Sequence, residues 1–238
     1  MASGRQNSGM GTLYLVRHGQ ASFGADDYDH LSELGHAQAR RLGQYWRESL
    51  GPALRFDAVL TGTLRRQVQT WQGIAEGAAL AGTPHTRLPG LDEYDSHAVI
   101  AAIHPEPLPK PDTPERYRAH FRLLRQGLAA WMRGDTAPAG MPGYADFVQG
   151  VADALERARA LGEGREGRVL LVSSGGPIAT AVSRVLQAPP EVSIELNLRY
   201  RNTAVSELNL GRRGLMLTTY NTLPHLDAPA WRDWVSYA

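Results

Sequence analysis

Cysteine is absent from all 238 residues. That removes disulfides, thiolate nucleophiles and cysteine zinc sites together, and it suits a reducing compartment. Lysine is almost missing: of 25 basic residues only Lys110 is a lysine, a bias of composition rather than a sign of function. No apolar run approaches the roughly 18 residues of a membrane span, so no membrane partner is expected. The opening "MASGRQNSGMG" is polar and glycine-rich, and no apolar segment follows it. A disordered tail over residues 1–11, no signal peptide and a cytoplasmic location are the expectations. A charge imbalance is lacking too, with net charge +1 and pI about 8.1. The basic pairs Arg40/Arg41, Arg65/Arg66 and Arg212/Arg213 are scattered and diluted by acidic residues, so no nucleic-acid partner is expected.

What is present is an alternation. Strand-like runs cover Leu13–Arg17, Asp57–Thr61, Arg168–Ser173, Thr203–Leu210 and Leu215–Tyr220, with a weaker one near Thr86–Leu88. Helical spacing covers Ser32–Leu50, Leu64–Leu80, Thr113–Arg133, Tyr144–Leu161 and Pro177–Leu186. Ser32 and Thr113 are N-cap candidates, the latter ahead of Pro114. Strands alternating with helices predict an α/β protein, a three-layer α/β/α sandwich on a mostly parallel sheet. "GRRG" (residues 211–214) joins the last two strands as a hairpin, which makes one edge antiparallel. Residues 12–238 are expected to form one domain, with a helical cap inserted over about residues 97–145. Five prolines between Ile103 and Pro114 predict a stiff extended loop there. Trp231, Trp234 and Tyr237 make the last stretch too aromatic to float freely. It is expected to dock on the body or on a second subunit of a homo-oligomer.

Open parallel sheets bind ligands at the carboxyl ends of their strands. The first strand ends in Arg17-His18-Gly19. The second leads into "TGTLRRQVQT" (residues 61–70), with Arg65 and Arg66 in the first helical turn. Glu93 lies just past the third, in "LDEYDSH" (residues 91–97). The fourth ends in Ser173-Ser174-Gly175-Gly176, with Pro177 read as the start of a helix. A helix start with glycines admits an anion, and arginines offer bidentate donors to phosphate. A neutral imidazole can attack phosphorus, and a carboxylic acid can protonate a leaving oxygen. Each residue alone reads as ordinary structure: a satisfied histidine, a solvated helix start, a surface carboxylate, a glycine turn. Their order and their shared place at strand ends give the joint reading.

With these residues in view, the chain resembles the histidine phosphatase superfamily, the phosphoglycerate-mutase-like fold. "LVRHG" is similar to the family's signature, which implies His18 as the phosphorylated nucleophile and Arg17 as a phosphate ligand. "LSELGHAQARRLG" is similar to the family's first helix. "TLRRQVQT" resembles the motif of the second arginine, and the match selects Arg66 over Arg65. "LDE" matches the element of the proton donor, hence Glu93. "VLLVSSGGPI" matches a strand that normally ends in a second catalytic histidine, where this chain has Ser174, followed by Gly175. "NTAVSEL" resembles the next strand, entered from Asn202. Gly24 falls where many members have a phosphate-binding asparagine, and the residues after Glu93 do not follow the mutases' pattern.

The resemblance implies a metal-independent phosphomonoesterase without cofactor, acting on a small-molecule phosphate ester. Its catalytic residues would be His18 and Glu93, and its phosphate ligands Arg17, Arg66, Ser174 and Gly175. A neutral hydroxyl donor is about half as strong as a charged one, and losing an oxyanion donor costs on the order of 10²–10³ in rate. Ser174 therefore implies a slower enzyme, and His97 is the one named candidate for taking over the histidine's role. Other readings are a phospho-ligand binding module with negligible turnover and a phosphoglycerate mutase. A burst assay separates the binding module from an enzyme. A serine hydrolase on Ser174 is disfavoured because Val172 stands where the nucleophile elbow needs glycine. No His-x-x-x-His pair or carboxylate cluster suggests a metal site.

Overall fold

The structure, a computed structural model, describes residues 11–22, 29–109, 112–162, 167–211 and 214–237. The expected tail therefore lies outside the described residues apart from Gly11, which already pairs in a strand. Gly24, Lys110, Pro111, Arg212 and Arg213 also lie outside them.

The strands are β1 (Gly11–Arg17), β2 (Ala58–Thr61), β3 (Thr86–Arg87), β4 (Arg168–Ser173), β5 (Val205–Gly211) and β6 (Gly214–Thr222). They form one sheet in the order β3-β2-β4-β1-β5-β6. β3, β2, β4 and β1 run parallel, while β5 pairs antiparallel with both β1 and β6. The antiparallel edge is thus the β5–β6 hairpin, and Gly211 faces Gly214 across its two-residue loop.

The helices are α1 (Glu33–Leu50), α2 (Arg65–Ala78), α3 (Ser96–Ala101), α4 (Pro114–Arg133), α5 (Tyr144–Gly162), α6 (Gly175–Val185) and α7 (Val192–Leu198). Ser32 and Thr113 cap α1 and α4 by accepting from Gly35 N and Arg116 N. Side chains alternate across each strand, so the sheet sorts them into two cores. Leu13, Leu15, Val169 and Leu171 pack on α5 and α6. Val16, Leu170 and Val172 pack on α1 and α2 through Leu42, Trp46, Trp71 and Ile74. These are the expected three layers. A third cluster joins α3, α4 and α7 around Leu128 and Trp131, and Tyr94 packs against it.

Two element starts near the sheet's carboxyl edge differ from the sequence expectation. β5 starts at Val205 rather than Thr203, because Thr203 is left-handed (φ 54) and turns its N–H onto Arg17 O and His18 O. α6 starts at Gly175 rather than Pro177, so both glycines lie in its first turn. The short helices α3 and α7 were not visible in the pattern; α3 is set by the Asp95 side chain, which accepts from the N–H groups of His97 and Ala98. The aromatic end of the chain docks on the body, with Trp231, Trp234 and Val235 packed on the first core.

Contact between α1 and α2 is backbone-close. A Cβ on Gly77 would lie 2.0 Å from Arg40 O, and one on Gly43 would lie 2.1 Å from Ile74 O. This approach places the start of α2 beside the end of β1. Gly77→Ala would gain about 1 kcal/mol of helix propensity in an open helix. Here it must push backbone apart, at about 1–3 kcal/mol. The expected outcome is a net loss of stability, read as a melting temperature lower by about 2–4 °C per kcal/mol.

Candidate active site

β1 ends at Arg17, and His18 leaves it at the sheet's centre. The N–H of His18 donates to Ser173 O at 2.8 Å, which carries the β1–β4 pairing one residue further. On the other side Asn202 Nδ2 donates to His18 O at 3.2 Å. Gly19 N donates to Thr70 Oγ1, which donates to Arg66 O, so the turn after β1 is fastened to α2.

The His18 side chain is buried, with Nδ1 2.7 Å from Gly19 O. A carbonyl can only accept, so Nδ1 carries the proton and Nε2 keeps its lone pair. Arg66 Nε lies 3.3 Å from that Nε2. Burial, then the charges of Arg17 and Arg66, hold the imidazole pKa well below its ordinary value. The ring is therefore neutral at pH 7. The Arg66 head is oriented from behind by Asp29 Oδ1, 2.9 Å from NH1.

Glu93 reaches the start of α6, where its Oε2 accepts from Gly176 N at 3.0 Å. A Cβ on Gly176 would fall 2.1 Å from Glu93 Oε1, so only glycine lets the carboxyl come this close. Burial raises the Glu93 pKa, and this outweighs the lowering by the Gly176 bond and by Arg66 and Arg17. Gly175 is also crowded: its Cβ would meet Asn197 Oδ1 at 2.0 Å and Arg17 Nε at 3.7 Å. Ser174 is the N-cap of α6 but makes no capping bond with its side chain, because Gln67 Nε2 donates to its Oγ at 2.8 Å.

The structure thus brings together Arg17, His18, Arg66, Glu93, Ser174 and Gly175. Arg66, rather than Arg65, is the arginine that reaches the histidine. His97 is not brought in. It is exposed on α3, its N–H is taken by Asp95, and its ring interacts with His120. Sequence reasoning missed Gln67, Asp29, Tyr94 and Asn197. Gln67 directly follows the chosen arginine and had no other signal. Asn197 Nδ2 donates to Tyr94 Oη at 2.7 Å, a contact between segments about 100 residues apart that no local pattern encodes. Among the described residues no three of His, Cys, Asp and Glu come together as a metal site, and no helix is long and apolar enough to cross a membrane.

A family model of the histidine phosphatase superfamily (branch 1) matches residues 13–223, which takes in every strand but the first two residues of β1. The chain belongs to that superfamily. Solved structures of similar fold include YhfR of Bacillus stearothermophilus, with 20% identity over 90% of this chain and 98% of that one at a TM-score of 0.63. A phosphoserine phosphatase mutant of Entamoeba histolytica, in complex with phosphoserine, shares 18% identity over 91% and 100% of the two chains at 0.63. A phosphoglycerate mutase of Bacillus anthracis shares 15% over 91% and 95% at 0.62. Identities this low speak for the fold. No curated protein sequence matches.

A buried histidine behind the group makes the pH dependence of stability testable. His225 contacts Thr203 Oγ1 at 3.0 Å, and burial, then Arg41 and Arg201, lowers its pKa to about 3. The unfolded chain takes up this proton near pH 6.5, before the folded chain does. The stability from neutral His225 is thus complete above about pH 6.5 and is lost as pH falls toward 3. Urea midpoints should fall over that window, and His225→Gln should flatten the fall while keeping a polar contact to Thr203.

Proposed function

We propose that this chain is a phosphomonoesterase that works through a phosphohistidine on His18. The supporting observation is the state of that ring: buried, neutral, with Nδ1 tied to a carbonyl and its only lone pair on Nε2 beside a guanidinium. Arg17, Arg66 and the start of α6 bind the phosphoryl oxygens and offset their charge. His18 Nε2 attacks phosphorus as the ester P–O bond breaks. Glu93, whose burial favours its protonated form, gives its proton to the leaving oxygen. Water then attacks phosphorus as the bond to Nε2 breaks, its electron pair returning to the ring, and passes a proton to the Glu93 carboxylate. Phosphate departs, and both groups are restored. The named activities of the phosphoserine phosphatase and phosphoglycerate mutase structures point to the same class, transfer of a phosphoryl group. Hydrolysis is favoured over mutase action because the residues after Glu93 depart from the mutase pattern.

Label from a phosphomonoester should be trapped on the protein at alkaline pH, released by acid, and absent in His18→Ala. Turnover of a poor leaving group should fall as pH rises through the raised Glu93 pKa. Glu93→Gln should remove that limb and slow alkyl phosphates far more than an activated aryl phosphate. Equal slowing of both would take Glu93 out of the acid role. Trapped label without release would favour the reading as a binding protein.

Ser174, at the position of the family's second histidine, is read as a neutral donor to the transferring group. Gln67 fills an acceptor site on its oxygen, which leaves the hydroxyl hydrogen to point elsewhere. Ser174→Ala should lower kcat more than it raises KM, by up to about 10²-fold. A change below about twofold on an activated substrate would show that no donor acts from this position.

A further inference from the structure

Segment Trp234–Tyr237 is tied to the site from two sides. Gln38 of α1 holds the turn after His18, since its Oε1 accepts from Gln20 N at 2.9 Å. Its Nε2 donates to Trp234 O at 2.6 Å and to Ser236 Oγ at 3.0 Å. Asn202 holds the same turn from the β5 side through His18 O. Its own N–H donates to Ser236 O at 2.9 Å, and its Oδ1 accepts from Ser236 Oγ at 2.9 Å. Both Gln38 and Asn202 are fully buried. One hydroxyl therefore joins the two clamps on the Arg17–Gln20 turn, accepting from one and donating to the other. Beyond it, Tyr237 O accepts from Arg17 NH1 at 2.7 Å, and Tyr200 O accepts from the same nitrogen.

We infer that segment Trp234–Tyr237 is a strap that prealigns Arg17 for the phosphoryl group, with Ser236 as its positioning residue. The inference rests on the reading of this turn as a phosphoryl site. A free arginine loses side-chain entropy when it grips an anion, and a head already fixed does not. Two carbonyls on one nitrogen fix the plane of the guanidinium. Arg66 is oriented differently, by the Asp29 carboxylate. That pair holds Arg66 beside His18, with Nε 3.3 Å from the ring Nε2. Serine suits position 236 because one small atom must both donate and accept between two buried amides.

The test uses the full chain, Ser236→Ala, Ser236→Thr and a chain stopped after Val235. Calorimetry with inorganic phosphate and with vanadate reads affinity, and p-nitrophenyl phosphate gives KM and kcat. Stopping the chain should weaken phosphate about tenfold, the scale of one hydrogen bond to a charged group, and raise KM in step. Ser236→Ala should move the same way, and Ser236→Thr should restore affinity to within about twofold. Should the shortened chain fail to fold, the Ala and Thr pair decides. A lower melting temperature with unchanged phosphate affinity would overturn the strap as a positioning element. Tighter phosphate on its removal would overturn it in favour of a competitor for Arg17. Phosphate binding by the full chain without turnover would sink the phosphatase reading while the affinities still judged the strap. Failure of the full chain to bind either anion would sink both.

Discussion

The bond from His18 Nδ1 to Gly19 O decides what the rest of the site can do. It spends one ring nitrogen on the backbone of the next residue and leaves the other with a lone pair. A bond that local survives only if the turn carrying it is rigid. The turn is pinned by Ser173 O, Asn202 Nδ2, Thr70 Oγ1 and Gln38 Oε1, from four separate elements or loops. Burial and two nearby guanidinium groups then oppose protonation of the ring. The same burial acts in the opposite sense on Glu93 and favours its proton. One environment therefore pushes both groups toward their neutral forms, although they carry opposite kinds of charge when ionised.

That environment follows from the packing of the sheet. β1 lies between β4 and β5 and ends in the middle, where helix α6 begins on one side and α2 on the other. The α1–α2 glycines let those helices touch at backbone distance. Arg66 then needs only its own side chain to span from the first turn of α2 to His18. Gly176 does the equivalent work for Glu93, since any Cβ there would collide with the carboxyl oxygen.

The sheet and its long helices were legible because apolar periodicity records burial, and burial is what orders them. The strand ends carrying Arg17-His18 and Ser174-Gly175 were legible for the same reason: the apolar run stops and polar residues begin. Selection of Arg66 over Arg65 came from the family resemblance, since both precede the same helical pattern. The helices α3 and α7 stayed hidden because each has only one turn or two, α3 fixed by its Asp95 cap and α7 by contacts such as Ile194 against the third cluster. Thr203 reads as a strand residue by propensity, yet its left-handed backbone serves the carbonyls of Arg17 and His18. Its conformation is decided by those partners and by His225, all distant in sequence. The links from Gln38 and Asn202 to Ser236 were equally invisible, although the aromatic residues around Ser236 announced that the segment would dock.

Ser174 changes the electrostatic logic of the group rather than its geometry. A histidine there would titrate, and its charge would oppose protonation of His18 while favouring ionisation of Glu93. A serine is neutral at every pH, so it adds no field against the nucleophile. The positive charge acting on His18 then comes from Arg17 and Arg66. Two titratable groups beside it, Glu93 and His18, are both shifted by burial. Burial pushes both toward their neutral forms, Glu93 from below neutrality upward and His18 downward.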